Sequence, residues 1–155
     1  MNKFEATRLD MGAGHISRSF TGTAKRGTAM GAHLTTETAC VVATPTNFLG
    51  FALREVTALG PTLEEQVFPA LEFPYKSGEQ ISLFKALEVE AEGSDFILLS
   101  GVGQITANTA VGTLLSFIGG KFYAAQTGDV HFYLLSANNL TPEDAGQLRI
   151  RAERI

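Results

Sequence analysis

The chain has 155 residues, 18% of them charged, with a formal net charge of −4 at pH 7 and a single cysteine, Cys40. That length fits one domain able to bury a sizeable core, and the scattered Lys and Arg residues of an acidic chain leave no basic footprint for direct nucleic-acid binding. A lone cysteine excludes an intrachain disulfide and a zinc site built on paired cysteines; without an apolar h-region at the start or any run near ~18 apolar residues, neither a signal peptide nor a membrane span is expected.

Residues 1–34 read as an extended N-terminal arm. Gly12, Gly14, Gly22, Gly27 and Gly31 alternate with Ser, Thr and Ala, and Phe4, Met11, Ile16, Phe20 and Met30 are too sparse for a helical face. Such a stretch is either a loose terminus or a segment that orders on a partner by strand addition, with Ile16, Arg18 and Phe20 as its docking residues.

Residues 35–155 read as a β-rich body, because short apolar runs are punctuated by turn signals about every 8–12 residues. Thr38–Ala43 is an expected strand closed by Pro45, and Phe48–Val56 a second one before Gly60-Pro61. Leu63–Gln66 suits a short helical turn, and prolines make Val67–Pro74 an edge or an irregular loop. A turn at Ser77-Gly78-Glu79 precedes Leu87–Glu92, whose strict alternation puts Leu87, Val89 and Ala91 on one face and Glu88, Glu90 and Glu92 on the other.

After a turn at Gly93-Ser94-Asp95, Phe96–Leu99 reads as a buried strand broken by Gly101 and Gly103, with Gln104–Thr106 as a brief continuation. Val111–Phe117 and Lys121–Gln126 then face each other across Gly119-Gly120, a hairpin signal because a two-residue turn needs positive φ. Thr127-Gly128-Asp129 leads into a central strand over Val130–Leu135. Thr141 suits the cap of a helical turn at Pro142. Leu148–Ala152 alternates again, placing Arg149 and Arg151 opposite the glutamate row, within one chain or across a subunit boundary. Alternation nominates Val41, Phe51, Leu53, Leu87, Val89, Ile97, Leu99, Leu115, Phe117, Phe122, Phe132 and Leu134 for the core.

No catalytic, metal or cofactor-binding group is expected. Gly12-Ala13-Gly14 and Gly101-Val102-Gly103 lack the third glycine of a dinucleotide fingerprint, and Gly120-Lys121 lacks the frame of a phosphate loop. His15, His33 and His131 have no metal-pair spacing. Cys40 sits in an apolar run without an adjacent base. The Glu88, Glu90 and Glu92 face is the one feature that would serve glycoside chemistry.

Asn47–Ala58, with Tyr75–Leu83 and with Val111–Leu115 before Gly119–Ala125, resembles the capsid decoration, or cement, proteins of tailed bacteriophages in style and order. The resemblance implies an all-β fold with little helix, a small β-barrel or β-tulip body carrying an extended arm. It implies a structural virion protein, made in the host cytoplasm, that sits on the capsid exterior as a homotrimer. Its partner would be the major capsid protein, with the arm bridging capsid subunits. Another virion component, such as a head-fibre base or tail protein, and a carbohydrate-binding or hydrolytic domain using the glutamate face are the alternative readings.

Overall fold

The computed structural model describes residues 3–10, 12, 15–56, 75–126, 128–140 and 147–155; of residue 15 and residues 53–56 it describes the backbone. Within them the strands are β1 (Lys3–Leu9), β2 (His15–Phe20), β3 (Ala29–Ala32), β4 (Ala39–Val42), β5 (Phe48–Val56), β6 (Gln80–Phe84), β7 (Ala86–Glu92), β8 (Leu114–Ile118), β9 (Lys121–Ala124), β10 (Phe132–Asn139) and β11 (Leu148–Arg154). The fold is all-β, as the period-two pattern predicts. Six strands form an open sheet in the order β1-β7-β11-β10-β8-β9, and the other five close a barrel in the order β2-β4-β3-β5-β6. Pairing is antiparallel except between β2 and β4, which run parallel.

Two hydrophobic cores result. The smaller fills the barrel with Phe20, Ala24, Met30, Cys40, Ala52, Tyr75, Ile81 and Leu83. The larger lies between the open sheet and the outer wall of the barrel, where Ala29, Ala43 and Phe51 of the barrel meet Phe4, Val89, Phe117, Phe122, Phe132 and Ile150 of the sheet. Along β5 the alternation therefore divides the strand between cores, Phe51 facing the sheet and Ala52 the barrel interior. A strand buried on both faces reads as a continuous apolar run, as Phe48–Ala52 of β5 does.

Residues 3–32 correct the expectation of an arm. The described residues of this stretch supply β1 to the open sheet and β2 and β3 to the barrel, so those strands contribute to both cores and do not extend from the body. Their small residues serve close approach. A Cβ on Gly31 would overlap the Asn47 amide, which accepts from Thr44 N at 2.7 Å and donates to Ala32 O at 3.1 Å.

Elsewhere the elements follow the pattern with local exceptions. The Gly119-Gly120 hairpin forms between β8 and β9, and both glycines have positive φ. Phe96–Leu99 is not a strand. It makes one parallel bridge, Ile97 to Phe122, along the outer edge of β9, with Leu98 N donating to Phe122 O at 2.9 Å. Gln104–Thr106 likewise is not a strand and lies between two turns. A register shift between β1 and β7 skips Leu87, so Ala86 takes the inward position and Leu87 is half-buried. Val41 and Leu99 are also half-buried, because Cys40 faces the barrel interior and Leu99 follows the bridge. The other nominated core residues with described side chains are buried. The Leu53 side chain, the segment Leu63–Pro74 and the Thr141-Pro142 turn lie outside the described residues.

Candidate functional site

The outer face of the open sheet carries an ion-pair ladder. Registry aligns Arg149 with Glu92, Arg151 with Glu90 and Glu153 with Glu88. Side chains connect diagonally as well as directly: Arg149 Nη2 reaches Glu92 Oε1 at 2.6 Å and its Nε reaches Glu90 at 3.5 Å, while Arg151 pairs with Glu88. Arg8 joins through Glu153 at 3.4 Å, and Glu153 also accepts from the Tyr133 hydroxyl, which raises that phenol above its ordinary pKa. The Glu92 hydrogen bond and charge raise the Arg149 pKa in turn.

The geometry shows the intrachain form of the arginine–glutamate pairing. The pairs that face solvent contribute under ~1 kcal/mol each, while Glu92 is buried; the ladder chiefly fixes the register of β7 on β11. With arginines on all three carboxylates, Glu88, Glu90 and Glu92 are not an open acid–base set.

The docking set Ile16, Arg18 and Phe20 is brought together on β2, but not as a free strand. β2 pairs with β6 along His15–Ser19 on one side, and on the other side Ser19 and Phe20 pair with β4, so β2 is a strand of the barrel and not a free one. Phe20 is 1% exposed inside the barrel, which corrects its reading as a docking anchor. Ile16 and Arg18 are half-buried.

Burial pushes the Cys40 thiol up to about 11 against the opposing charge of Arg18, so it is a poor nucleophile. His33 Nδ1 accepts from the backbone N–H groups of Thr35 and Thr36, at 3.3 and 3.1 Å, and so fastens the β3–β4 loop. Among the described residues no group of His, Cys, Asp and Glu is arranged to hold a metal.

His131 stands just before β10, with its ring 5.0 Å from that of Phe48. Its Nε2 is shielded and has no hydrogen-bond partner among the described residues. Desolvation lowers its pKa below the ordinary histidine value, against an opposing pull from Asp129. The unfolded chain therefore binds this proton more readily than the native one, and stability falls as pH drops through the ordinary histidine range toward the native pKa. His131→Phe removes the orphaned nitrogen and keeps the ring. Thermal unfolding of the variant is expected to vary less between about pH 5 and pH 7 than that of the parent; an unchanged pH slope would show that His131 is not its source.

Sequence patterning did not single out the surface that differs most from the rest. From Phe96 to Gly120 the chain has no charged residue. Within this segment Val102, Val111 and Leu114 are 80, 74 and 47% exposed, and Ile118 also faces solvent. Hydrogen bonds from Ala124 N to Gly103 O (2.8 Å), Ala125 N to Leu114 O (2.9 Å) and Gly112 N to Leu134 O (2.7 Å) gather the Val102, Val111 and Leu114 stretches at one end of the β10-β8-β9 corner. The signal was the missing charge, which a search for alternation passes over. Compared with known proteins, the chain matches no family model, no curated protein and no solved structure.

Proposed function

We propose that this protein is a structural component of a phage virion that associates with its own copies and binds the outer surface of the capsid, stabilising the lattice. The observation that carries the reading is the uncharged, aliphatic corner over Phe96–Gly120 in a chain of net charge −4. Interface cores are depleted in charge, and copies that repel elsewhere approach with least electrostatic cost through a neutral face. The resemblance of Asn47–Ala58, Tyr75–Leu83 and Gly119–Ala125 to decoration proteins supplies the capsid as partner and the trimer as the expected assembly. Since β1, β2 and β3 belong to the body, the capsid contact is assigned to the body surface, and repeated weak contacts on a lattice add through multivalency.

The test combines mass and binding. Light scattering of the purified chain, 16.6 kDa per copy, is expected to give a trimer that binds undecorated phage heads. Val102→Asp with Leu114→Asp, both on exposed positions, is expected to give a folded monomer with binding reduced by at least about tenfold, the loss of avidity expected when linked sites separate. A monomeric parent protein that ignores such heads defeats the proposal.

A further inference from the structure

A second feature is a cleft at the edge of the barrel. Where the barrel meets the open sheet, a half-enclosed cleft of about 440 Å³ opens between β2 and β5 of the barrel and the ends of β1 and β11 of the sheet. Its apolar wall is Ile16, Phe48, Leu49 and Ala86. Phe48 is held rigidly, its ring stacked on Phe117 at 4.4 Å and leaning on His131 at 5.0 Å.

The described polar residues of the cleft carry a net positive charge in an acidic protein. Among them Arg154 and Lys85 stand against the carboxylate of Asp10. Asp10 Oδ2 meets Arg154 Nη1 at 2.8 Å and its backbone N–H donates to Lys85 O at 3.0 Å, which fixes the Arg154 guanidinium and the Lys85 backbone at one point of the rim. Lys85 is exposed and has no ion-pair partner among the described residues. Arg154 keeps guanidinium donors beyond the one that Asp10 engages, because the group has five N–H bonds in a planar fork.

We infer that this cleft binds a small amphipathic carboxylate, its acid group between Lys85 and Arg154 and its aromatic or branched aliphatic body against Phe48 and Leu49. Clefts of this size with an apolar wall and a few fixed polar groups are the ordinary form of a small-molecule site. The charge selects the ligand: a carboxylate accepts from a guanidinium and an ammonium together, whereas a cation would meet two like charges. Partial desolvation between the two sheets strengthens that selection relative to open surface. The inference is independent of self-association, since none of the cleft residues named belongs to the Phe96–Gly120 segment.

Titration of the intact protein with phenylacetate, followed by NMR chemical shifts, is the test. Saturable shifts are expected at Leu49, Lys85, Ala86 and Arg154, with a dissociation constant of about 1 mM or tighter for so small a ligand. Phenylacetamide, neutral and of the same shape, is expected to bind at least about tenfold more weakly. Lys85→Glu, at an exposed position, should produce a similar loss for phenylacetate alone. No saturable shift, equal affinity for the amide, or an unchanged affinity in Lys85→Glu each overturns the inference.

Discussion

Phe51→Ala is expected to destabilise the protein by ~3–5 kcal/mol, the cost of removing a large aromatic side chain from a closed core. Phe51 is fully buried and stands at the centre of a ring cluster, with centroids of Phe4, Phe48, Phe117, Phe132 and Phe122 at 4.9, 5.3, 5.7, 5.7 and 6.0 Å. Those partners come from β1, β5, β8, β10 and β9, so one truncation removes contacts to both sheets at once. Aromatic pairs of this kind add ~0.5–1.5 kcal/mol beyond area burial, which places the substitution toward the upper end of the range. Since whole domains are stable by ~5–15 kcal/mol, such a loss leaves the protein marginal.

The position of Phe51 also predicts how the protein comes apart. Ala52, the next residue, belongs to the barrel core, and the truncation leaves that core intact. Urea unfolding should therefore show a large drop in midpoint for Phe51→Ala, with Phe51→Leu intermediate between it and the parent. A loss below ~1.5 kcal/mol for Phe51→Ala would mean that the ring cluster does not join barrel to sheet as a tight core, because that is the usual ceiling for volume-conserving swaps.

What was legible in the sequence follows from how each element is buried. β7 and β11 have one face on the larger core and one in water, so their alternation announces both strands and the glutamate–arginine ladder between them. The Gly119-Gly120 hairpin was legible because its backbone demands glycine. β3, Ala29-Met30-Gly31-Ala32, was not. Ala29 serves the larger core and Met30 the barrel, so there is no polar face to alternate with, and Gly31 is small because Asn47 lies against it. Gly27, Ala29 and Gly31 thus mark tight packing, although composition alone gives this stretch the look of an unstructured arm. Phe96–Leu99 erred the other way. Its apolar run is buried, but one bridge to β9 is all the sheet edge offers it. The candidate surfaces were legible where opposite charges align across strands and illegible where the signal is an absence of charge or a cleft between sheets.

The β8–β9 turn gives a sharper test, because its two glycines have the same backbone requirement and different surroundings. Both lie in the left-handed region, at φ 58° for Gly119 and 77° for Gly120. Nothing lies within 4 Å of a Cβ built on Gly119, whereas one built on Gly120 would stand 2.6 Å from Thr28 Cγ2 and 3.3 Å from Ala29 O. Gly120 is also where the hairpin docks on the barrel: its N–H donates to Ala43 O at 3.0 Å, and its carbonyl accepts from Ala29 N at 3.4 Å. Gly119→Ala should therefore cost only the left-handed penalty, ~1–2 kcal/mol. Gly120→Ala carries that penalty and must in addition push Thr28 and β3 away from the hairpin, adding ~1–3 kcal/mol of overpacking and weakening two backbone hydrogen bonds between barrel and sheet. Chemical denaturation of the two variants side by side cancels the shared backbone term. A Gly120→Ala variant less stable than Gly119→Ala by ~1 kcal/mol or more is the expected result. Equal stabilities would mean that the hairpin tip rests loosely on the barrel, with the sheet and the barrel joined by the phenylalanine cluster around Phe51 rather than by backbone contact at this turn.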